Sequence, residues 1–266
     1  MIADYHLHSN SPDAGQDMKN MCQAAVNKGI DEIVITDHYE FYSGGKVSEY
    51  FHKDYLDKYI DDLEMCQELF AGRLTVKTGM ELGQGYLEPD KQQKIIESYP
   101  FDYLIGSLHK IQNVDMGNLV YSEETLDSIA ETYYDQLIEM TRDIEFDCLG
   151  HIDLITRYMD RAGYGIDIDR YLDKISQILI NVITQNKGIE INTSTLRQGM
   201  AESMPGLKIL KLYKELGGKI ITVGSDAHRP ADVGVDIEKA YEQLRIAGFT
   251  SYAIYNKRNY SFVGLD

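Results

Sequence analysis

Short apolar runs alternate with longer amphipathic ones seven times along the 266 residues, and this alternation constrains the fold more than any other feature. The extended runs are "IADYHLHS", "DEIVITDHYE", "LTVKTGMELG", "FDYLIGSLHKI", "FDCLGHIDLI", "GIEINTST" and "KIITVGSDAH". Each precedes a helical stretch, beginning with "QDMKNMCQAAVNKG" and "KDYLDKYIDDLEMCQELFAG" and ending with "DIEKAYEQLRIAGF". Strict strand–helix alternation implies a parallel sheet with right-handed crossovers. The closing "SYAIYNKRNYSFVGL" reads as two short extended pieces. No Pro/Gly/Ser-rich linker divides the chain, so residues 1–266 are expected to form one domain. No G-x-G-x-x-G opens a helix, which leaves a dinucleotide fold with little support.

Seven units could form an open doubly wound sheet or a closed barrel, and the polar residues favour the barrel. Of seven histidines, six stand at or just past the C-terminal end of an expected strand: His6, His8, His38, His109, His151 and His228. His52 alone lies elsewhere, at the entry to a helix, and reads as a surface residue. Glu81 and Asp226 join the same level. Parallel α/β folds gather ligands at the carboxyl ends of their strands. A barrel lets all these groups meet at one mouth; an open sheet would spread them along a line.

Spacing sharpens this. Residues i and i+2 of a strand face the same way, so His6 and His8 can share one metal ion. Asp226/His228 and His151/Asp153 repeat the spacing. Imidazole with carboxylate suits Zn, Mn or Fe. Cys22, Cys66 and Cys148 show no C-x-x-C spacing and lie away from these motifs, so they read as buried reduced thiols. Asp37 should face away from His38 and reads as structural. Asp153 could support the site or cap a helix.

Charge excludes some partners. With 26 Lys+Arg against 43 Asp+Glu, the formal charge is −17. Such a chain repels polyanions, and no basic footprint for nucleic acid stands out. No apolar run approaches the ~20 residues of a membrane helix, and no signal-peptide pattern opens the chain. No membrane partner and a cytoplasmic location are the expectation.

At the same residues the chain resembles the PHP (polymerase and histidinol phosphatase) superfamily, through "DYHLHS", "ITDH", "GMELG", "IGSLHKI", "FDCLGHIDLI", "IEINTSTLR" and "VGSDAHRPADVG" in that order. "GHIDLI", "EINTSTLR" and "YNKRNYSFVGL" are most similar to the monofunctional histidinol-phosphate phosphatases of histidine biosynthesis. The resemblance implies a distorted (β/α)7 TIM-like barrel holding two or three divalent ions. Carried over, His6, His8, Glu81 and Asp226 would hold the first ion. Glu81 would bridge to a second, with His109 and His151. His38, His228 and Asp13 would take the third; the family often has histidine where Asp13 stands, so this ion is expected to bind more weakly or differ in kind.

The implied reaction is hydrolysis of a small phosphomonoester, L-histidinol phosphate, by a hydroxide shared between ions. Lys110, Arg157, Arg161, Arg197 and Arg229 all follow ligand-bearing strands, and Arg161 and Arg197 are the expected phosphate clamp. Asp153 is a candidate proton donor. Three rivals stay open: a related phosphoesterase acting on nucleotides or nucleic-acid ends, an amidohydrolase-type metal hydrolase, and a metal-binding barrel without catalysis.

Overall fold

The computed structural model describes residues 1–10, 14–42 and 53–265, without the side chains of residues 53 and 54. Asp13 and His52 therefore lie outside the described residues. The chain runs β1 (Ala3–Leu7), α1 (Met18–Asn27), β2 (Glu32–Ile35), β3 (His38–Glu40), α2 (Lys53–Phe70), β4 (Thr75–Gly83), α3 (Pro89–Ser98) and β5 (Tyr103–Ser107). It continues with β6 (Lys110–Ile111), β7 (Val114–Asp115), α4 (Leu126–Asp143), β8 (Cys148–Leu149), α5 (Leu154–Arg161), α6 (Leu172–Thr184) and β9 (Gly188–Asn192). It ends with α7 (Leu207–Glu215), β10 (Ile221–Gly224), α8 (Ile237–Ile246), β11 (Ser251–Asn256) and β12 (Asn259–Gly264).

Seven strands pair in parallel in the order β1-β2-β4-β5-β8-β9-β10, with β3 added alongside β4. The two ends of this sheet meet. Asp226 N donates to His6 O at 2.8 Å and His8 N donates to Ala227 O at 2.9 Å, so the sheet closes on itself at the top. This is the distorted (β/α)7 barrel. Both faces of its strands are covered: every residue of β1, β2, β5 and β9 is buried, the polar Asp4, His6 and Glu190 included.

Helix positions follow the amphipathic stretches. α1 begins at Asp17, whose side chain accepts from Lys19 N, the usual N-cap arrangement. Its apolar face, Met18, Met21, Cys22 and Ala25, packs with α2 residues Leu63, Cys66 and Phe70 against β2 and β4. A second cluster joins α4, α6, α7 and α8 to the opposite side of the barrel. Cys22, Cys66 and Cys148 are buried and free.

The barrel floor is filled by tyrosine. The Tyr5 and Tyr103 rings lie 5.1 Å apart, and Tyr103 and Tyr255 lie 4.9 Å apart. β1 and β5 are not neighbours in the sheet, so Tyr5 and Tyr103 meet across the lumen. Tyr103 Oη pairs with Thr222 Oγ1 at 2.7 Å, and Tyr255 N donates to Tyr5 Oη at 2.7 Å. The β11–β12 hairpin closes this end and leaves the other end for polar residues.

Three local features depart from the sequence expectation. β3 is a short extra strand, formed because His38–Glu40 runs on beside β4 after β2 ends. α5 fills the segment after His151, where only an extended run was expected. β1 carries an irregularity: between Asp4 and Leu7 it advances three residues while β2 advances two, from Ile33 to Ile35. Such one-residue bulges re-aim side chains beside active sites; this one falls next to His6.

Candidate metal centre

The mouth of the barrel collects the histidines. His6 lies on β1 and His8 just past it; His38 opens β3; Glu81 lies within β4; His109 and His151 follow β5 and β8. Asp226 and His228 follow β10. Asp226 and His228 do not lie on one strand face, contrary to their i,i+2 spacing. β10 ends at Gly224, and Asp226 has a left-handed backbone (φ 54°). Asp226 and His228 thus converge through a loop, not a shared strand face. His151 also has positive φ (22°), and its expected companion Asp153 turns away.

Glu81 is the hub. Its Oε1 lies 3.0 Å from His109 Nε2 and 2.9 Å from His151 Nε2. Its Oε2 lies 2.8 Å from His38 Nδ1, 3.3 Å from His6 Nε2 and 3.6 Å from His8 Nε2. Asp226 Oδ1 stands 3.4 Å from His8 Nε2 and 3.9 Å from His6 Nε2. The His8 ring stacks on His38 at 4.3 Å and on His228 at 4.1 Å. Donor atoms of three sets fall within 4.8 Å of one another: His6/His8/Glu81, His38/Glu81/His109 and His8/His38/His228. The structure thus brings together eight of the nine expected ligand residues, the ninth being Asp13. His38 approaches Glu81 as well as His228, so it stands between two groups.

This donor set fits divalent ions. Buried polar atoms without partners are costly. His6 Nε2, both ring nitrogens of His8 and Glu81 Oε2 are buried and make no hydrogen bond among the described residues. His6 Nε2, His8 Nε2 and Glu81 Oε2 can each offer an electron pair and lie close together, which a cation satisfies. The field agrees. Burial pushes the Glu81 carboxyl up, but His109, His6 and His38 outweigh it and hold Glu81 well below the usual carboxylate range. Burial lowers His109, yet Glu81 and Glu40 raise it to about 9. Burial, His228 and His38 push His8 well below the ordinary imidazole value, keeping it a neutral donor.

Two carboxylates that sequence reasoning missed orient these imidazoles. Glu190 on β9 bonds His6 Nδ1 at 2.6 Å, which leaves Nε2 facing Glu81. Glu40 bonds His109 Nδ1 at 2.6 Å, Gln84 Nε2 at 2.6 Å and Lys110 Nζ at 2.8 Å. Carboxylates in this position fix the ring and raise its donor strength. Gly224 allows the arrangement: a Cβ there would overlap His6 Cβ and Glu190 Oε1. Asp37, expected to be structural, accepts from Ser9 N at 2.5 Å and Ser9 Oγ at 2.6 Å.

Above the cluster lies a cavity of about 520 Å³ whose wall carries Arg157, Arg161 and Arg197. Arg157 Nη1 lies 3.6 Å from Asp226 Oδ2 and donates to Ser194 Oγ at 3.3 Å. Arg161 donates to Gln198 Oε1 at 2.8 Å. Arg197 donates to the carbonyls of Ser225 and Asp226, the latter at 2.7 Å, so it anchors the Asp226 loop as well as lining the cavity. Arg157 and Arg161 are one turn apart on α5, a signal visible only once that helix is recognised. Asp153 is not in the cavity lining. Its Oδ2 accepts from Gly206 N at 3.1 Å, it makes no capping bond to α5, and burial raises it to about 7.

Comparison with known proteins gives the same picture. The model of the PHP domain matches residues 4–194. The histidinol-phosphatase of Lactococcus lactis subsp. lactis is 27% identical over 260 residues, covering 95% of this chain and 94% of that one. A probable histidinol-phosphatase of Clostridium acetobutylicum is 29% identical over 244 residues, covering 90% and 91%. The crystal structure of the Lactococcus lactis histidinol phosphate phosphatase, complexed with zinc, L-histidinol and phosphate, superposes with a TM-score of 0.85 at 26% identity, covering 98% of each chain. The chain belongs to the PHP domain family.

Proposed function

We propose that this chain is a divalent-metal-dependent phosphomonoesterase that hydrolyses L-histidinol phosphate to L-histidinol and phosphate. One observation carries the reading. Imidazole and carboxylate groups gathered around Glu81, with His6 Nε2 and Glu81 Oε2 buried and without a hydrogen bond among the described residues, lie at the floor of a cavity walled by three arginines. The likeness to the Lactococcus lactis enzyme over nearly the whole of both chains supports the substrate.

His6, His8, Glu81 and Asp226 would hold one ion, Glu81 with His109 and His151 a second, and His38 with His228 and Asp13 a third. Bound ions supply Lewis acidity, which stabilises phosphoryl charge and makes water acidic enough to serve as nucleophile near neutral pH. The chain's own residues do the rest. Arg157, Arg161 and Arg197 present guanidinium donors to the phosphate oxygens and hold phosphorus over the cluster. Arg197 and the His6 carbonyl fix the Asp226 loop. Glu190 and Glu40 hold His6 and His109 with Nε2 turned inward. The tyrosine floor blocks the lumen below, so substrate and product use the mouth alone.

The test is a substrate panel with metal-loaded protein: L-histidinol phosphate, nucleoside monophosphates, single-stranded DNA and an amide. Selective release of phosphate from L-histidinol phosphate is the expected result. Turnover of DNA ends or of the amide in its place would overturn the assignment.

A further inference from the structure

We propose that Asp115 reads the organic arm of the substrate by accepting a hydrogen bond from its cationic nitrogen. The inference rests on the L-histidinol phosphate reading above. Among the described residues that line the cavity, four are carboxylates: Glu40, Glu81, Asp115 and Asp226. Glu81 and Asp226 face the imidazole cluster, and Glu40 is held by His109 and Lys110. Of these four, only Asp115 has no imidazole or cation within ion-pair distance among the described residues.

Asp115 is also a built feature. It stands on β7, directly across the β6–β7 hairpin from Lys110. Gln112 (φ 52°) and Asn113 (φ 64°) form the turn, both left-handed as a tight two-residue hairpin requires. Met116 N donates to His109 O at 3.1 Å, tying the hairpin to the metal cluster. Asp115 Oδ1 accepts from Gly117 N at 2.8 Å, which sets the side chain and leaves Oδ2 for a ligand. A Cβ on Gly117 would lie 3.2 Å from Asp115 Oδ1 and 3.6 Å from Tyr158 Cε1. The acid and the tyrosine ring therefore sit side by side.

The substrate's charge pattern fits this wall. L-Histidinol phosphate carries an anionic phosphate, an ammonium near it and an imidazole beyond. The phosphate belongs with the arginines and the cluster, so the free carboxylate is left for the cation. A charge-assisted bond of this kind discriminates strongly against substrates that lack the donor.

Asp115→Asn keeps the shape and the bond to Gly117 but removes the charge. With metal-loaded enzyme of matched metal content, kcat/KM is measured for L-histidinol phosphate and for p-nitrophenyl phosphate. The ratio of the two should fall about 10-fold or more. Competitive inhibition by L-histidinol should weaken by a similar factor relative to inhibition by inorganic phosphate. Asp115→Glu, which restores the charge, should recover part of the ratio. Equal change for both substrates would overturn the inference. Wild-type enzyme with no preference between the substrates would instead overturn the function on which it rests. A desamino substrate then distinguishes the two nitrogens: an effect that vanishes assigns the contact to the ammonium, and one that persists assigns it to the imidazole.

Discussion

Replacing Glu190 with Gln removes one charge from the centre of the barrel and almost no volume. The carboxylate is fully buried and accepts from three donors: His6 Nδ1 at 2.6 Å, and His151 N and Asn192 Nδ2, each at 3.2 Å. A glutamine that turns its oxygen to His6 turns its amide N–H toward the other two donors. His151 N and Asn192 Nδ2 then lose their acceptor, at a cost of about 1–3 kcal/mol each. For a chain of this size that lowers Tm by roughly 2–4 °C per kcal/mol. His6 also becomes a weaker ligand, since its ring no longer leans on a negative charge. Loss of such a partner weakens metal binding about 10- to 100-fold, or about 1.4–2.8 kcal/mol. Competition against a chromophoric zinc chelator reads the affinity, and thermal unfolding of metal-free protein reads the stability. Zinc affinity unchanged within about twofold would refute the claim that Glu190 sets the His6 donor.

Other substitutions probe the shared ligand, the β10 contact, the Asp226 loop and a buried carboxyl. Glu81→Ala removes the residue shared by His6, His38, His109 and His151; it should abolish turnover and lower the bound-metal count, and full activity would sink the assignment. Gly224→Ala places a methyl group against His6 and Glu190; metal stoichiometry and Tm should both fall, and a variant normal in both would show that β10 can move aside. Arg197→Ala should reduce kcat/KM and lower Tm by a few degrees, because it cuts two bonds to the Asp226 loop, each about 1 kcal/mol; a purely kinetic effect would mean that Arg197 only binds phosphate. Burial raises Asp147 to about 6, although Arg258 and Leu104 N favour its anion. A raised carboxyl stabilises the fold fully below its unfolded value, and that contribution is lost as pH rises through about 6. Asp147→Asn should lack this decline in urea unfolding between pH 4 and pH 7, and parallel pH curves for the two proteins would contradict it.

Much of this site was legible because His6 and His8 share a short extended run, and because six histidines fall at strand ends. That pattern needs only the period of a strand and the direction of a parallel sheet. The rest depended on contacts between distant segments. Glu40 and Glu190 look like ordinary strand carboxylates until the barrel brings them against His109 and His6. Asp226 reaches the cluster through a positive φ that spacing cannot reveal, and the same kind of kink at His151 sends Asp153 elsewhere. The eight-residue α5 was too short to register as a helix, so the one-turn spacing of Arg157 and Arg161 went unread. Tyrosine serves in two places: Tyr5, Tyr103, Tyr133, Tyr134, Tyr213 and Tyr252 are fully buried in the core, and Tyr42 and Tyr158 line the cavity.

Metal titration of catalysis asks whether the ions at the barrel mouth drive phosphate release. Protein stripped with a chelator is titrated with zinc while hydrolysis of L-histidinol phosphate and bound metal are followed in the same sample. Activity should be negligible without metal and rise to a break at two or three ions per chain. Full activity in stripped protein, or metal uptake with no phosphate released, would contradict it.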